Sequence, residues 1–251
     1  MAKREPERRR RAALAGGLAA AMLAAASPAA LAQDCAGGPD LSRPDELATA
    51  KVSAARAHFY RGGPGCPAFR KTCRETAYVV AGDRVIVSGS AGDFVCAHYV
   101  ASRRRAGVTL PEIVRSGWLS AAELTPEPAA VPAGPDAWTG TWRRVEAQIR
   151  IAPGRDPGTL AVAGEATFGG LDPARVKRGA VNTGEFSGEA RPQGGGLSFA
   201  VTADGFAPAE RGDESSCKVW LRRVGPWLLA EDNGLCGGAN VSFRGLYSRA
   251  N

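Results

Sequence analysis

The sequence predicts a mainly β protein in two modules: a small N-terminal barrel linked to a C-terminal antiparallel β-barrel or sandwich. Three observations lead there. No long stretch carries a 3.6-residue apolar period between clean caps; residues 42–57, "SRPDELATAKVSAARA", form the one helix candidate, with Ser42 as cap and Pro44 in the first turn. The strand signal is clearest in "RRVEAQIRIAP", where Val145, Ala147, Ile149 and Ile151 alternate with Glu146, Gln148 and Arg150, so that one face is buried and the other wet. Between the two modules lies "TPEPAAVPAGPDA", residues 125–137, a Pro-rich run without apolar periodicity that reads as a stiff linker.

Taken in order, the chain opens with basic Arg8 to Arg11, an Ala/Leu-rich run from Ala12 to about Ala25, and small residues at Ala30 and Ala32. This is the three-part pattern of a secretory signal peptide over residues 1–32, with cleavage expected after Ala32. At about 14 apolar residues, the run is shorter than the roughly 20 of a spanning helix, so no stable membrane span is expected after cleavage. The expected compartment is the periplasm or the exterior.

The leader carries much of the basicity. The full chain has a formal net charge of +7; without the leader's six basic and two acidic residues it keeps 26 and 23, a net charge of about +3. The one remaining basic run is Arg103 to Arg105, with no aromatic interleaving, which argues against nucleic acid as a partner.

All six cysteines follow the leader, and an even count in an exported chain favours disulfides. In "CKVWLRRVGPWLLAEDNGLC" a turn at residues 224–227 returns Cys236 to Cys217. Cys66 and Cys73 are expected to close a local loop, which leaves Cys35 for Cys96; these four cysteines formally allow three pairings. "CPAFRKTC" is too widely spaced for a redox CxxC motif, and no second pair completes a zinc site, so neither a metal nor a cofactor is expected.

Residues 33–54 are expected to be an N-terminal segment and residues 55–124 the first module. In the latter, strand-like runs at residues 85–88 and 94–100 flank the turn "GSAGD", a loop is expected through "VASRRRAGVTLPEIVR", and "GWL" at Gly117 to Leu119 closes the module. The "GDRVIV" strand after a turn at Gly82 and Asp83, the "DFVCAHY" strand and the closing "GWL" together resemble a bacterial SH3-like (SH3b) domain. Phe94 stands where that family usually has Trp. The resemblance implies a non-catalytic module that binds peptides or cell-wall components, with Phe94, Tyr99 and Trp118 as groove residues.

The second module, residues 138–251, offers seven to eight short strands with turn signals between them, which favours closure into a barrel. "GTW" at Gly140 to Trp142 and the closing "FRGLYSR" resemble the calycins, lipocalin- and avidin-type barrels, in which a Gly-x-Trp meets a late basic residue across the barrel bottom. On that likeness Arg244 or Arg249 is expected to stack on Trp142. The tail "DNGLCGGANVSFRGLYSR" also resembles exported bacterial proteins of uncharacterised function grouped near lysozyme-inhibitor lipoproteins.

Catalysis finds no constellation. His58 and His98 are the two histidines, both in expected strands, and neither H-E-x-x-H nor G-x-S-x-G occurs. Two functions remain in view: a non-enzymatic binding protein for a cell-wall fragment, peptide or small ligand, and an inhibitor or scaffold acting on a lysozyme-type hydrolase through a loop such as "AERGDESS".

Overall fold

In the computed structural model, residues 35, 37–39, 47–105, 108–127, 134–193 and 195–250 are described. The expected leader and its cleavage site lie outside them, as do residues 42–46 of the helix candidate. The part of that candidate that is described is extended: Ala48–Val52 is strand β1, and β2 begins at Arg56. Tertiary pairing overrides the helical propensity of the alanines, because β1 is inserted between two other strands of a sheet.

The first sheet is a half-barrel. It contains β1, β2 (Arg56–Tyr60), β3 (Arg74–Val80), β4 (Arg84–Ala91), β5 (Phe94–Arg105), β6 (Val108–Ser120) and β7 (Leu124–Pro126), in the order β3-β2-β6-β5-β4-β1-β7. It thus draws in strands from the expected N-terminal segment and linker. The loop expected between residues 100 and 115 is instead the outer half of a long hairpin: β5 and β6 stay paired from Phe94↔Ser120 to Arg105↔Val108, with a register shift at Tyr99/Val100. Pro111 is tolerated there because β6 meets its other neighbour, β2, at Tyr60↔Trp118, far from the proline.

The second sheet has β8 (Gly140–Arg144), β9 (Ala147–Pro153), β10 (Leu160–Phe168), β11 (Asn182–Ala190), β12 (Gly196–Thr202), β13 (Gly205–Ala207), β14 (Cys217–Val224), β15 (Trp227–Asp232) and β16 (Gly245–Arg249). Their order, β11-β10-β9-β8-β16-β15-β14-β12-β13, rolls into a nearly closed antiparallel barrel. A short helix, α1 (Pro173–Lys177), capped by Asp172, links β10 to β11. Along the unpaired seam β11 packs against β12; a Cβ on Gly188 would sit 2.5 Å from the Phe199 ring, so only glycine permits that approach.

Two expected strands are shorter than the sequence pattern. Residues 143–153 are not one strand but a hairpin, β8 turning into β9 at Val145–Glu146, with Glu146 at φ 56°. The alternation is genuine only over Ala147, Ile149 and Ile151, all buried, whereas Val145 sits in the turn. At the other end β16 begins at Gly245, because the buried Asp232 carboxylate captures the preceding backbone. It accepts from Phe243 N at 2.6 Å, Arg244 N at 3.1 Å and Ser242 Oγ at 2.9 Å, which diverts these groups from a ladder.

The barrel interior is filled rather than hollow. Trp138, Trp142, Phe186, Phe199, Phe243 and Tyr247 occupy it together with aliphatic side chains from most strands. A separate small core lies within the first sheet around Phe59, Val79, Val85 and Leu119. A third apolar cluster joins the two sheets: Ile86 of the first meets Val224, Leu229 and Leu246 of the second, with Leu47, Ile113 and Trp227 against them. The described residues accordingly form one compact unit.

Three disulfides staple the chain: Cys35–Cys96, Cys66–Cys73 and Cys217–Cys236. The last joins the start of β14 to the segment after β15, with a Cα–Cα distance of 4.7 Å.

Candidate binding clefts

Strand alternation decides where the expected groove residues point. On β5, Phe94, Cys96 and His98 share one face and Tyr99 takes the other; on β6, Trp118 pairs with Cys96. Phe94 and Trp118 therefore pack together with the Cys35–Cys96 disulfide and Tyr60, both rings almost fully covered. Tyr99 packs against the core on the opposite side. The three do not form one groove, because a spacing of five residues along a strand reverses the face. The aromatic that does reach the surface there is Phe69, 61% exposed, stacked 4.6 Å from Phe94 and 5.9 Å from Tyr60. It sits in the loop closed by Cys66–Cys73, and its contact with Phe94 is long-range, so no local pattern marks it.

An open cleft of about 760 Å³ lies beside this cluster, between the Gly37–Gly38 backbone, Tyr60 and the end of β6. The Glu75–Arg115 ion pair lines it. The Trp118 indole N–H is buried and has no hydrogen-bond partner among the described residues. Below the cleft His98 is held from both sides, Nε2 at 2.7 Å from Ser88 Oγ and Nδ1 at 2.8 Å from Ser116 Oγ. Ser116 Oγ donates in turn to Gly37 O. With its proton committed to that carbonyl, Ser116 accepts from Nδ1–H, and Nε2 accepts from Ser88. Burial holds the imidazole pKa down at about 4, against a smaller opposing pull from the Gly37 carbonyl. With both nitrogens engaged by serines, the imidazole braces the Gly37 backbone, in the segment carrying Cys35, against the sheet through Ser116.

At the barrel, two guanidinium groups lie within cation–π distance of the Trp142 ring. Arg249 lies 5.1 Å from the ring centroid and Arg223, which no sequence motif marks, lies 4.5 Å from it. Both arginines donate to Ala137 O, and Arg223 also bonds Gly225 O and Trp227 O. Partial burial, then the Arg249 charge, lowers the Arg223 pKa to about 10. Arg244 is not on the tryptophan; it pairs with Glu231 on the surface.

A second cleft, of about 1010 Å³, wraps the rim at one barrel end, where the β8–β9 turn, the ends of β10 and β11 and the Cys217–Cys236 bridge converge. Leu110, near the tip of the long hairpin, reaches into it from the first sheet. Its rim includes Leu171 and Leu235, each about half exposed at 51% and 49%. Glu146, in the left-handed region that rarely suits a non-glycine residue, is held there by Thr167 N bonding its carbonyl at 2.8 Å. Its carboxylate accepts from Thr167 Oγ and Leu171 N, each at 3.3 Å. Gly184 completes the floor; a Cβ there would come within 2.6 Å of Cys236 O.

Comparison of the chain with known protein families, with curated proteins and with solved structures gives no match. The function therefore rests on these clefts. Every described cysteine is in a disulfide, so no free thiol faces either of them. Among the described residues no group of three or more His, Cys, Asp or Glu side chains is placed to hold a metal, and no helix is long and apolar enough to cross a membrane.

Proposed function

We propose that this chain is an exported binding protein that holds a cell-wall fragment, peptide or small ligand in the cleft at the barrel rim, without catalysing a reaction. The observation that carries the reading is the cleft itself: about 1010 Å³, open, with apolar rim residues beside charged ones, on a floor cross-linked by Cys217–Cys236. Binding sites combine apolar walls with a few placed polar groups on a rigid support. The leader pattern and the three disulfides fit an oxidising compartment, periplasmic or external. The SH3-like reading of the first sheet and the calycin-like reading of the barrel belong to the same proposal, as does cleavage after Ala32.

A second reading, an inhibitor or scaffold of a lysozyme-type hydrolase, is favoured by one feature. In the loop around residues 209–216 Asp213 accepts from Ser215 N, Ser215 Oγ and Ser216 Oγ, which fixes a surface segment in one shape. Retention of residues 33–251 on insoluble peptidoglycan and on immobilised lysozyme separates the two. A cell-wall binder is retained on peptidoglycan and released by Leu171→Asp with Leu235→Asp; an inhibitor is retained on lysozyme and released by Asp213→Ala. Retention on neither support, together with no response to soluble peptidoglycan fragments, contradicts both.

A further inference from the structure

One strip of the outer barrel wall at this cleft carries an ordered row of charge. Arg143 on β8 is the register partner of Gln148 on β9, Gln148 of Glu165 on β10, and Glu165 of Glu185 on β11. All four line the rim cleft. Gln148 donates its amide to Glu165 at 3.1 Å, while Arg143 and Glu185 have no polar side-chain partner among the described residues. Two carboxylates directly opposite one another on neighbouring strands repel, an arrangement that sheets avoid when stability alone is served. The repulsion is relieved by any cation set between them.

We infer that this row is a subsite for a short extended peptide with free ends, its ammonium group between Glu165 and Glu185 and its carboxylate on Arg143. The dimensions agree. Neighbouring strands lie about 4.8 Å apart, so Arg143 stands about 10 Å from Glu165 and about 14 Å from Glu185 along the wall. Three extended residues span about 10 Å. Between the charged ends Gln148 keeps one amide hydrogen and its carbonyl oxygen for a peptide group, and Leu110, Leu171 and Leu235 supply apolar surface for small side chains. The charged groups are exposed, so each contributes modestly, about two- to fivefold in affinity. The inference rests on the rim cleft being a binding site and adds its ligand class.

The test is calorimetric or NMR titration of residues 33–251 with trialanine, N-acetyl-trialanine and trialanine amide. Trialanine is expected to bind about two- to fivefold more tightly than either capped form. The double variant E165Q/E185Q is expected to erase the preference for the free amine and keep that for the free carboxylate; Arg143→Gln is expected to do the reverse. Equal binding of all three peptides overturns the inference, as do preferences that the variants leave unchanged. If no peptide binds while soluble peptidoglycan fragments still shift resonances of cleft residues, the charge row is not the recognition element, and the binding reading stands. If neither peptides nor fragments bind, both fall.

Discussion

His98 shows how a single buried residue writes a pH dependence into the fold. Its folded pKa of about 4 lies below the value near 6.5 that the unfolded chain regains, so between those values the unfolded state binds a proton that the folded state does not. Stability is then full above about pH 6.5 and is lost as pH falls towards 4, by about 3 kcal/mol in all. Chemical denaturation of the parent chain and of His98→Gln at several pH values checks this; the variant is expected to be less stable at pH 7 and to lose less on acidification. Asp232 is the other buried polar residue with large leverage. Asp232→Ala removes the acceptor for Gly234 N, Phe243 N and Arg244 N at once, and a cost of about 3 kcal/mol is expected in urea unfolding, with the segment before β16 the first to exchange its amides. Neither role is legible in the sequence. His98 reads as any strand histidine, and Asp232 as any acidic residue before a turn; what sets them apart is burial against partners that only the folded strands and the segment before β16 bring into reach. The same holds for Arg223, which reaches Trp142 only because β14 folds back beside the first residues of the barrel.

At the scale of elements, signals confined to one strand or one turn are the legible ones. Hairpins at "GSAGD" and at Val224 to Trp227 follow from their turn residues, and the Cys217–Cys236 bridge follows from the second of them. That bridge closes a loop with a sequence separation of 19, so Cys217→Ala with Cys236→Ala is expected to lower stability by about 3 kcal/mol, measured as a lower Tm without reductant. Elements whose conformation depends on a partner are misread. β1 looks helical until β4 and β7 claim its two edges. The arginine-rich stretch before "GWL" looks like a loop until the far half of β6 pairs with it. The groove expected from Phe94, Tyr99 and Trp118 fails for a different reason: the odd spacing of Phe94 and Tyr99 along one strand puts them on opposite faces, while the pairing that sets Trp118 beside Cys96 depends on the partner strand.

Over the whole molecule, the Pro-rich stretch between the sheets invites a picture of two beads on a string, and the apolar cluster of Ile86, Val224, Leu229 and Leu246 replaces it with two sheets that share a core. The turn between β14 and β15 presses on the first sheet as well, since a Cβ on Gly225 would lie 3.0 Å from Thr49 Cγ2. A single calorimetric transition is expected, and Leu246→Ala should lower it by about 2 to 5 kcal/mol of stability while reducing its cooperativity. Two well-separated transitions in the parent chain would contradict a shared core. The barrel has a different weak point. Its first strand, β8, is hydrogen-bonded to its last, β16, through Ser248↔Arg143 and Arg249↔Trp142, whereas β11 and β12, consecutive in the chain, have no ladder between them. The shell is therefore two groups of strands, β8 to β11 and β12 to β16, sewn together by the first and last strands of the barrel rather than by the polypeptide that connects them. A protease that cuts between Gln193 and Gly196 severs no strand pairing except one isolated bridge, so the nicked halves are expected to stay folded and to co-migrate until denatured.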